Sequence, residues 1–299
     1  MSKTVGVIGL GAMGLGVARN LLRAGFQVYG HDLREQVLAH FAREGGIACR
    51  TPADVGAHCA VTILLVVNAE QTSAVLFGEQ GAAPAMRPGS VVIASATVAP
   101  AFVARLGEQL AALHVGLLDC PVSGGVAGAA GGALTLLSSG PDEAYAACQE
   151  VLDAISTKVY RLGSAHGLGS KVKVINQLLV GVQIAAAAEA MALGLREGVD
   201  ADLLYDVITH SAGNSWAFED RVPHILAGDF SPSTALDIFV KDLGLVLDTA
   251  RASRFPLPLS STAYQMFAHA AAAGLGGEDD TAVIKTFPGI TLPTRRQAV

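Results

Sequence analysis

The run VGVIGLGAMG constrains this chain more than any other stretch. An apolar strand leads into Gly9-x-Gly11-x-x-Gly14, which opens directly into a helix. In that setting Gly9 permits a tight turn, Gly11 lets the backbone approach a pyrophosphate, and Gly14 lets helix and strand pack closely. The new helix offers unpaired N–H groups at its start, where phosphates bind. A second apolar run ends at GHDLR, which sets Asp32 where an acidic side chain meets the adenosine ribose hydroxyls. The pattern predicts a dinucleotide site at Gly9, Leu10, Gly11, Ala12, Met13, Gly14 and Asp32. A carboxylate repels a 2′-phosphate, so NAD is the expected cofactor, with the neighbouring Arg34 working against that preference. The structural alternative for Asp32 is an N-cap for a helix over 34–42.

Short apolar runs alternate with helical patterns through the first half. The expected strands are Thr4–Ile8, Gln27–His31, Val61–Val67, Val91–Ala94, Val115–Asp119 and Leu134–Leu137. Helical patterns such as Met13–Arg23 and Phe102–Leu113 fall between them. Continuous apolar strands separated by helices imply a doubly wound parallel sheet covered on both faces. After Gly163 the pattern changes to one long helix, about 169–197, then helices near 201–211, 215–226, 238–251 and 259–273. The expected fold is α/β: an N-terminal Rossmann sheet over 1–163, then an all-α C-terminal domain over 164–299, joined by the long helix.

Composition removes several function classes. A net charge of −6 with scattered Lys and Arg gives no electrostatic footing for nucleic acid. Cys49, Cys59, Cys120 and Cys148 have neither C-x-x-C spacing nor nearby histidines, so no metal site is expected. The apolar stretch 178–195 is broken by Gln183, Glu189 and two glycines, and reads as a buried helix, not a membrane span. The first residues show none of a signal peptide's features and run straight into a strand, so a cytoplasmic location is expected. With 15% charged residues, the surface leaves room for contact with another subunit.

Two stretches carry candidate chemistry. In LLDCPVSGGVAGAAGG, Ser123, Gly124 and Gly125 offer a hydroxyl and flexible backbone N–H groups at a strand end, which suits an anion such as a substrate carboxylate. An ordinary glycine-rich loop is the alternative. In HGLGSKVKVINQ, two lysines lie two residues apart. At about 100° per residue they point about 200° apart, so they cannot share a helix face. Lys173 has Asn176 and Gln177 as its i+3 and i+4 neighbours, whereas Lys171 has Val174, Ile175 and Leu178. Only Lys173 belongs to a polar cluster; Lys171 reads as a solvated side chain at the helix start.

These stretches, with FVKDLGLVLDTA, stand in the order and spacing of the β-hydroxyacid dehydrogenase family, which the whole chain resembles. The resemblance implies a Rossmann domain followed by a helical domain for substrate binding and dimerisation, and a homo-oligomer, dimer or tetramer. It implies that Lys173 is the general acid/base, with Asn176 beside it in catalysis and Gln177 binding substrate. A free lysine, with a pKa of about 10.4, is a poor base near neutrality, and desolvation or a nearby cation lowers that value. Many relatives have Asn where this chain has Gln177. Ser123, Gly124 and Gly125 are implied to hold the substrate carboxylate. Val67, Asn68, Thr97 and Lys241 are implied to contact cofactor; the alternative for Lys241 is a neighbour that pairs with Asp242 on a solvated helix face. The implied substrate is a small sugar acid of four carbons, oxidised at its 2-hydroxyl, with Asn214, Ser215 and Trp216 near that end of its pocket; Trp216 as core is the alternative. 3-Hydroxyisobutyrate and tartronate semialdehyde would use the same groups. A dinucleotide-binding protein without catalysis remains the competing class. Imine reduction is disfavoured because imine-reducing relatives tend to lack this lysine.

Overall fold

The computed structural model describes residues 3–294. Six parallel strands form one sheet: β1 (Thr4–Ile8), β2 (Gln27–His31), β3 (Ile47–Ala48), β4 (Val61–Leu64), β5 (Val91–Ala94) and β6 (Gly116–Asp119), in the order β3-β2-β1-β4-β5-β6. The order reverses beside β1, as a doubly wound sheet requires. The connections carry α1 (Ala12–Arg23), α2 (Glu35–Arg43), α3 (Pro52–His58), α4 (Ala69–Phe77) and α5 (Pro100–Ala111). Side chains alternate between faces along each strand. Val91 and Ile93 enter one core with Val17, Leu21 and Tyr145, while Val92 and Ala94 enter another with Val55, Leu76 and Leu106. Both faces are therefore covered by helices, which is why these strands read as unbroken apolar runs.

The strand expectations need correction at several points. β3 was not expected. β6 starts at Gly116 because the Val115 amide still donates to the Leu110 carbonyl at 3.0 Å. β4 ends at Leu64, short of Val67, because the Val67 amide leaves the ladder and donates to the Gln71 side chain at 2.9 Å. The run at Leu134 does form a strand, β8 (Leu134–Ser138), but in a separate three-stranded sheet. There it pairs antiparallel with β7 (Val122–Ser123) and parallel with β9 (Ser156–Arg161). Helices α6 (Gly125–Gly131) and α7 (Asp142–Ile155) complete this part of the chain.

The chain divides into two compact units within α8 (Leu168–Arg196), after Lys173. Beyond β9 the regular elements among the described residues are helical: α8, α9 (Ala201–Thr209), α10 (Trp216–Ala227), α11 (Leu236–Ser253), α12 (Pro258–Ala270), a π-helical turn over Ala271–Leu275 and a 3₁₀ segment over Asp280–Thr286. Ile184, Ala188 and Met191 of α8 enter the core of the second unit with Phe218, Phe239 and Phe267. Among the described residues α8 alone is long and apolar enough to cross a membrane by length and composition, and 39% of its most apolar window is buried inside the protein. All four cysteines are buried and unbridged. Burial pushes the thiols of Cys49 up to about 11 and of Cys59 and Cys148 up to about 12, so none is a thiolate near neutrality.

Candidate active site

The three glycines after β1 are needed for different reasons. Gly9 has φ of +93°, and a Cβ there would lie 2.7 Å from the Leu65 carbonyl oxygen. A Cβ on Gly14 would run into the Gly9 carbonyl oxygen. Both are fixed by the protein's own packing. Gly11 is not: a Cβ there would meet only the tip of the Arg34 side chain, at 3.8 Å. The space beside it belongs to a cavity of about 640 Å³ lined by Gly9, Gly11, Asp32, Arg34, Arg50 and Val67 among others. Helix α1 starts at Ala12 on the edge of this space, with Gly11 as its N-cap, no side-chain cap and no acidic residue in its first turn. A helix start of this kind accepts an anion. The residues present fit a dinucleotide pyrophosphate.

Asp32 lies in the same cavity wall. It is not the N-cap of α2, which is Arg34 with no side-chain cap. Its Oδ2 accepts from the Leu10 amide at 2.9 Å and from Arg34 Nη2 at 2.9 Å; its Oδ1 accepts from the Arg34 amide at 3.0 Å and Nε at 2.8 Å. Burial opposes its ionisation, but the Arg34 side chain, the two amides and the Arg34 charge together hold its carboxyl below the usual carboxylate range. Asp32 is thus an anion at neutral pH whose four acceptor sites are filled, half of them by the side chain of Arg34, which is 61% exposed.

The second glycine motif works in the opposite way. Gly167 has φ of +95° and a Cβ there would lie 2.8 Å from the Pro100 carbonyl oxygen; a Cβ on Gly169 would collide with the Leu137 carbonyl and lie 2.8 Å from that of Asp119. This close approach brings the first turn of α8 onto the end of β6. The wholly buried Asp119 carboxylate accepts from the Gly167 amide (3.0 Å), the Ser170 amide (2.8 Å) and the Ser170 hydroxyl (2.6 Å). The Gly169 amide donates to Ser139 Oγ at 3.1 Å. The Gly167, Gly169 and Ser170 N–H groups at the start of α8 are thus taken up within the protein, so this glycine pair seats the helix. Burial pushes the Asp119 carboxyl up despite the hydrogen bonds from Ser170, Ser139 and Gly167.

Just beyond that anchor, Lys171 is exposed and Lys173, three residues after Ser170, is buried, at 7% exposure. Asn176 and Gln177 follow on the same helix face as Lys173. Asn176 Nδ2 donates to Gln177 Oε1 at 3.1 Å, and Gln177 Nε2 donates to Asp242 Oδ2 at 2.6 Å. The other Asp242 oxygen accepts from Lys241 Nζ at 2.5 Å. The structure therefore brings Asn176, Gln177 and Lys241 together through Asp242, a residue that carried no role in the sequence reading. Asp242 does not lie on a solvated face; it is 2% exposed.

Other candidates stand apart. Val67 lines the Gly11 cavity, while Asn68 is the N-cap of α4, its side chain accepting from the Gln71 amide at 2.8 Å. Thr97 is half-buried in the segment after β5. Ser123 ends β7, and Gly124 and Gly125 follow with φ of +122° and +60°, nothing lying near a Cβ built on Gly125. Ser215 caps α10, accepting from the Phe218 amide, and Asn214 Nδ2 donates to Glu219 at 2.6 Å. Trp216 is 58% exposed and is not core. Arg50 and Gln71 also line the cavity, which no periodicity or motif in the sequence signalled.

Residues 4–163 match the model of the NAD-binding domain of 6-phosphogluconate dehydrogenase, and residues 167–287 match that of the NAD-binding region of NADP-dependent 3-hydroxyisobutyrate dehydrogenase. The chain is 66% identical to the L-threonate dehydrogenase of Cupriavidus necator, over 99% of this chain and 100% of that one. It is 51% identical to the L-threonate dehydrogenase of Escherichia coli K12, over 97% and 96% of the two chains. The crystal structure of a 3-hydroxyisobutyrate dehydrogenase from Salmonella typhimurium superposes with a TM-score of 0.91 at 50% identity, covering 95% of this chain and 99% of that one. The open glycine turn beside Asp32 and the lysine-amide face of α8 thus sit in a chain that belongs, along nearly its whole length, to the β-hydroxyacid dehydrogenase family in its 3-hydroxyisobutyrate dehydrogenase-like branch.

Proposed function

We propose that the protein oxidises L-threonate at its 2-hydroxyl to the 2-oxo acid, using NAD. The substrate rests on one observation, the 66% identity to the Cupriavidus necator L-threonate dehydrogenase across both whole chains. The chemistry rests on Lys173, a buried lysine sharing a helix face with two amides. Lys173 Nζ takes the 2-hydroxyl proton as the C2–O bond becomes a carbonyl, and returns it to solvent. Bound NAD would supply the hydride acceptor for C2, and the balance is then the 2-oxo acid, NADH and one proton. The Asn176 amide hydrogen-bonds the reacting oxygen. The Ser123 hydroxyl and the amides of Gly124 and Gly125 hold the substrate carboxylate. On the cofactor side, Gly9 to Gly14 and the start of α1 receive the pyrophosphate. Asp32 takes the adenosine ribose hydroxyls in place of the exposed Arg34 guanidinium, and Val67, Asn68, Thr97 and Lys241 complete the cofactor contacts. Residues 1–163 serve as the NAD-binding domain and 164–299 as the domain for substrate and subunit contacts.

Formation of NADH or NADPH from L-threonate, D-threonate, D-glycerate and 3-hydroxyisobutyrate tests this directly. The expected result is a kcat/KM for L-threonate with NAD at least about tenfold above every other pairing, tenfold being about 1.4 kcal/mol of transition-state discrimination. The likeness to the Salmonella structure makes 3-hydroxyisobutyrate the second reading, and preference for it over L-threonate would replace the first. No turnover of any hydroxyacid would leave a dinucleotide-binding protein without catalysis. The reading also includes a cytoplasmic location, supported by an N-terminal stretch that runs straight into β1.

The same reading includes a homo-oligomer, a dimer or tetramer. Val172, Ile175, Leu179 and Leu193 recur at near-heptad spacing on α8, three of them more than half exposed. Such a stripe is an interface when a second helix covers it. Light scattering on the purified protein is expected to give at least twice the 30.5 kDa chain mass, and a monomer at micromolar concentration would remove this part of the reading.

A further inference from the structure

The role of Gln177 can be read from what its amide already does. Resemblance gives it a place against the substrate, yet Nε2 donates to Asp242 and Oε1 accepts from Asn176. Asp242 is 2% exposed, and a buried carboxylate is tolerated only when its oxygens are paired and hydrogen-bonded. Lys241 satisfies one oxygen and Gln177 the other. The result is a directional chain from Asn176 through Gln177 to Asp242, met from the other side by the Lys241 ammonium, in which each bond polarises the next.

We propose that Gln177 is a positioning residue: it fixes Asp242, through Asp242 the Lys241 ammonium, and by its carbonyl the Asn176 amide. The proposal rests on reading Asn176 and Lys241 as working residues of the site. It also gives the extra methylene of Gln177 a purpose. Asparagine carries the same donor and acceptor but is one methylene shorter, so from the same backbone position it cannot span to Asp242 within hydrogen-bond range. The length lost at 177 can be restored at 242, because glutamate is one methylene longer than aspartate and the exchange conserves core volume.

The experiment uses four full-length proteins: wild type, Gln177→Asn, Asp242→Glu, and the double variant. Readouts are kcat, KM for L-threonate, Kd for NAD and the melting temperature. Gln177→Asn and Asp242→Glu are each expected to lower kcat/KM about tenfold or more, mostly in kcat, with KM changed by less than about threefold. The double variant is expected to recover to within about threefold of wild type, with its melting temperature recovering in step, because coupled neighbours are not additive. A Gln177→Asn enzyme as active as wild type, a loss confined to KM, or losses that multiply in the double variant would each overturn the proposal. If Asp242→Glu does not fold, Gln177→Met decides: it matches the volume but cannot donate, and must lose as much kcat as Gln177→Asn. Wild-type kcat in Gln177→Met sinks the idea. Failure of the underlying reading looks different, because a Lys173→Ala enzyme would then keep its turnover. The coupling between positions 177 and 242 is still read from the melting temperatures in that case.

Discussion

Lys173→Ala is expected to lower kcat for L-threonate oxidation by about a hundredfold to ten-thousandfold, the range for loss of a positioned general acid/base. The NAD Kd should change by less than about threefold, because Gly9, Gly11 and Asp32 line a cavity that does not include Lys173. Lys171→Ala is the matched control: its side chain is exposed two residues away on the same helix, and its kcat should stay within about twofold of wild type. Stopped-flow turnover and titration of nucleotide fluorescence measure the two quantities separately. Equal losses in both lysine variants would mean that positive charge on α8 matters and the position of the lysine does not. An active Lys173→Ala enzyme would remove the proposed base altogether.

The second large effect separates two glycines of one motif. Gly14→Ala drives a methyl group into the Gly9 carbonyl oxygen, part of a turn held on its other side by Leu65. Backbone on both sides cannot yield cheaply, so the loss is one of folding: about 3 kcal/mol or more, at the severe end for a single substitution. Gly11→Ala has room for its methyl and should melt within a few degrees of wild type. Its cost falls on the ligand, since the methyl occupies the approach to the pyrophosphate. NAD affinity is expected to drop by about a hundredfold or more, roughly 2.7 kcal/mol or more. Thermal melting with and without NAD distinguishes the two outcomes. If both variants failed in the same way, the separation of packing from binding within this turn would not hold.

Five of the six strands of the main sheet were legible in the sequence, because parallel strands covered on both faces favour apolar side chains. β3, only two residues long, offered no run to read. β1, β2 and β5 have the bounds their apolar runs predict. β9, STKVYR, gave no such signal, because it lies in a small sheet and its side chains are half-buried or exposed. The run at Leu134 showed a strand but not its partners, since pairing depends on where α6 and α7 return the chain. At the site, the glycine turn and the lysine face of α8 were visible because they depend on neighbours within one turn of helix or strand. The partner of Gln177 was not visible: Asp242 lies 65 residues further on, beside a lysine that offered a simpler local pairing. Local periodicity shows which face a residue takes and is silent on which distant carboxylate meets it.

The Asp119 anchor also decides where length can vary in this chain. Ser170 is pinned by both its amide and its hydroxyl to the end of β6, and Lys173 follows three residues later on a continuous helix. Residues inserted between β9 and Gly167 would lengthen a surface connection and leave the lysine where it is. One residue inserted between Ser170 and Lys173 would turn the ammonium by about 100° and advance it about 1.5 Å. The interval from 170 to 173 therefore behaves as a ruler, and insertions and deletions among relatives should accumulate before it and avoid it.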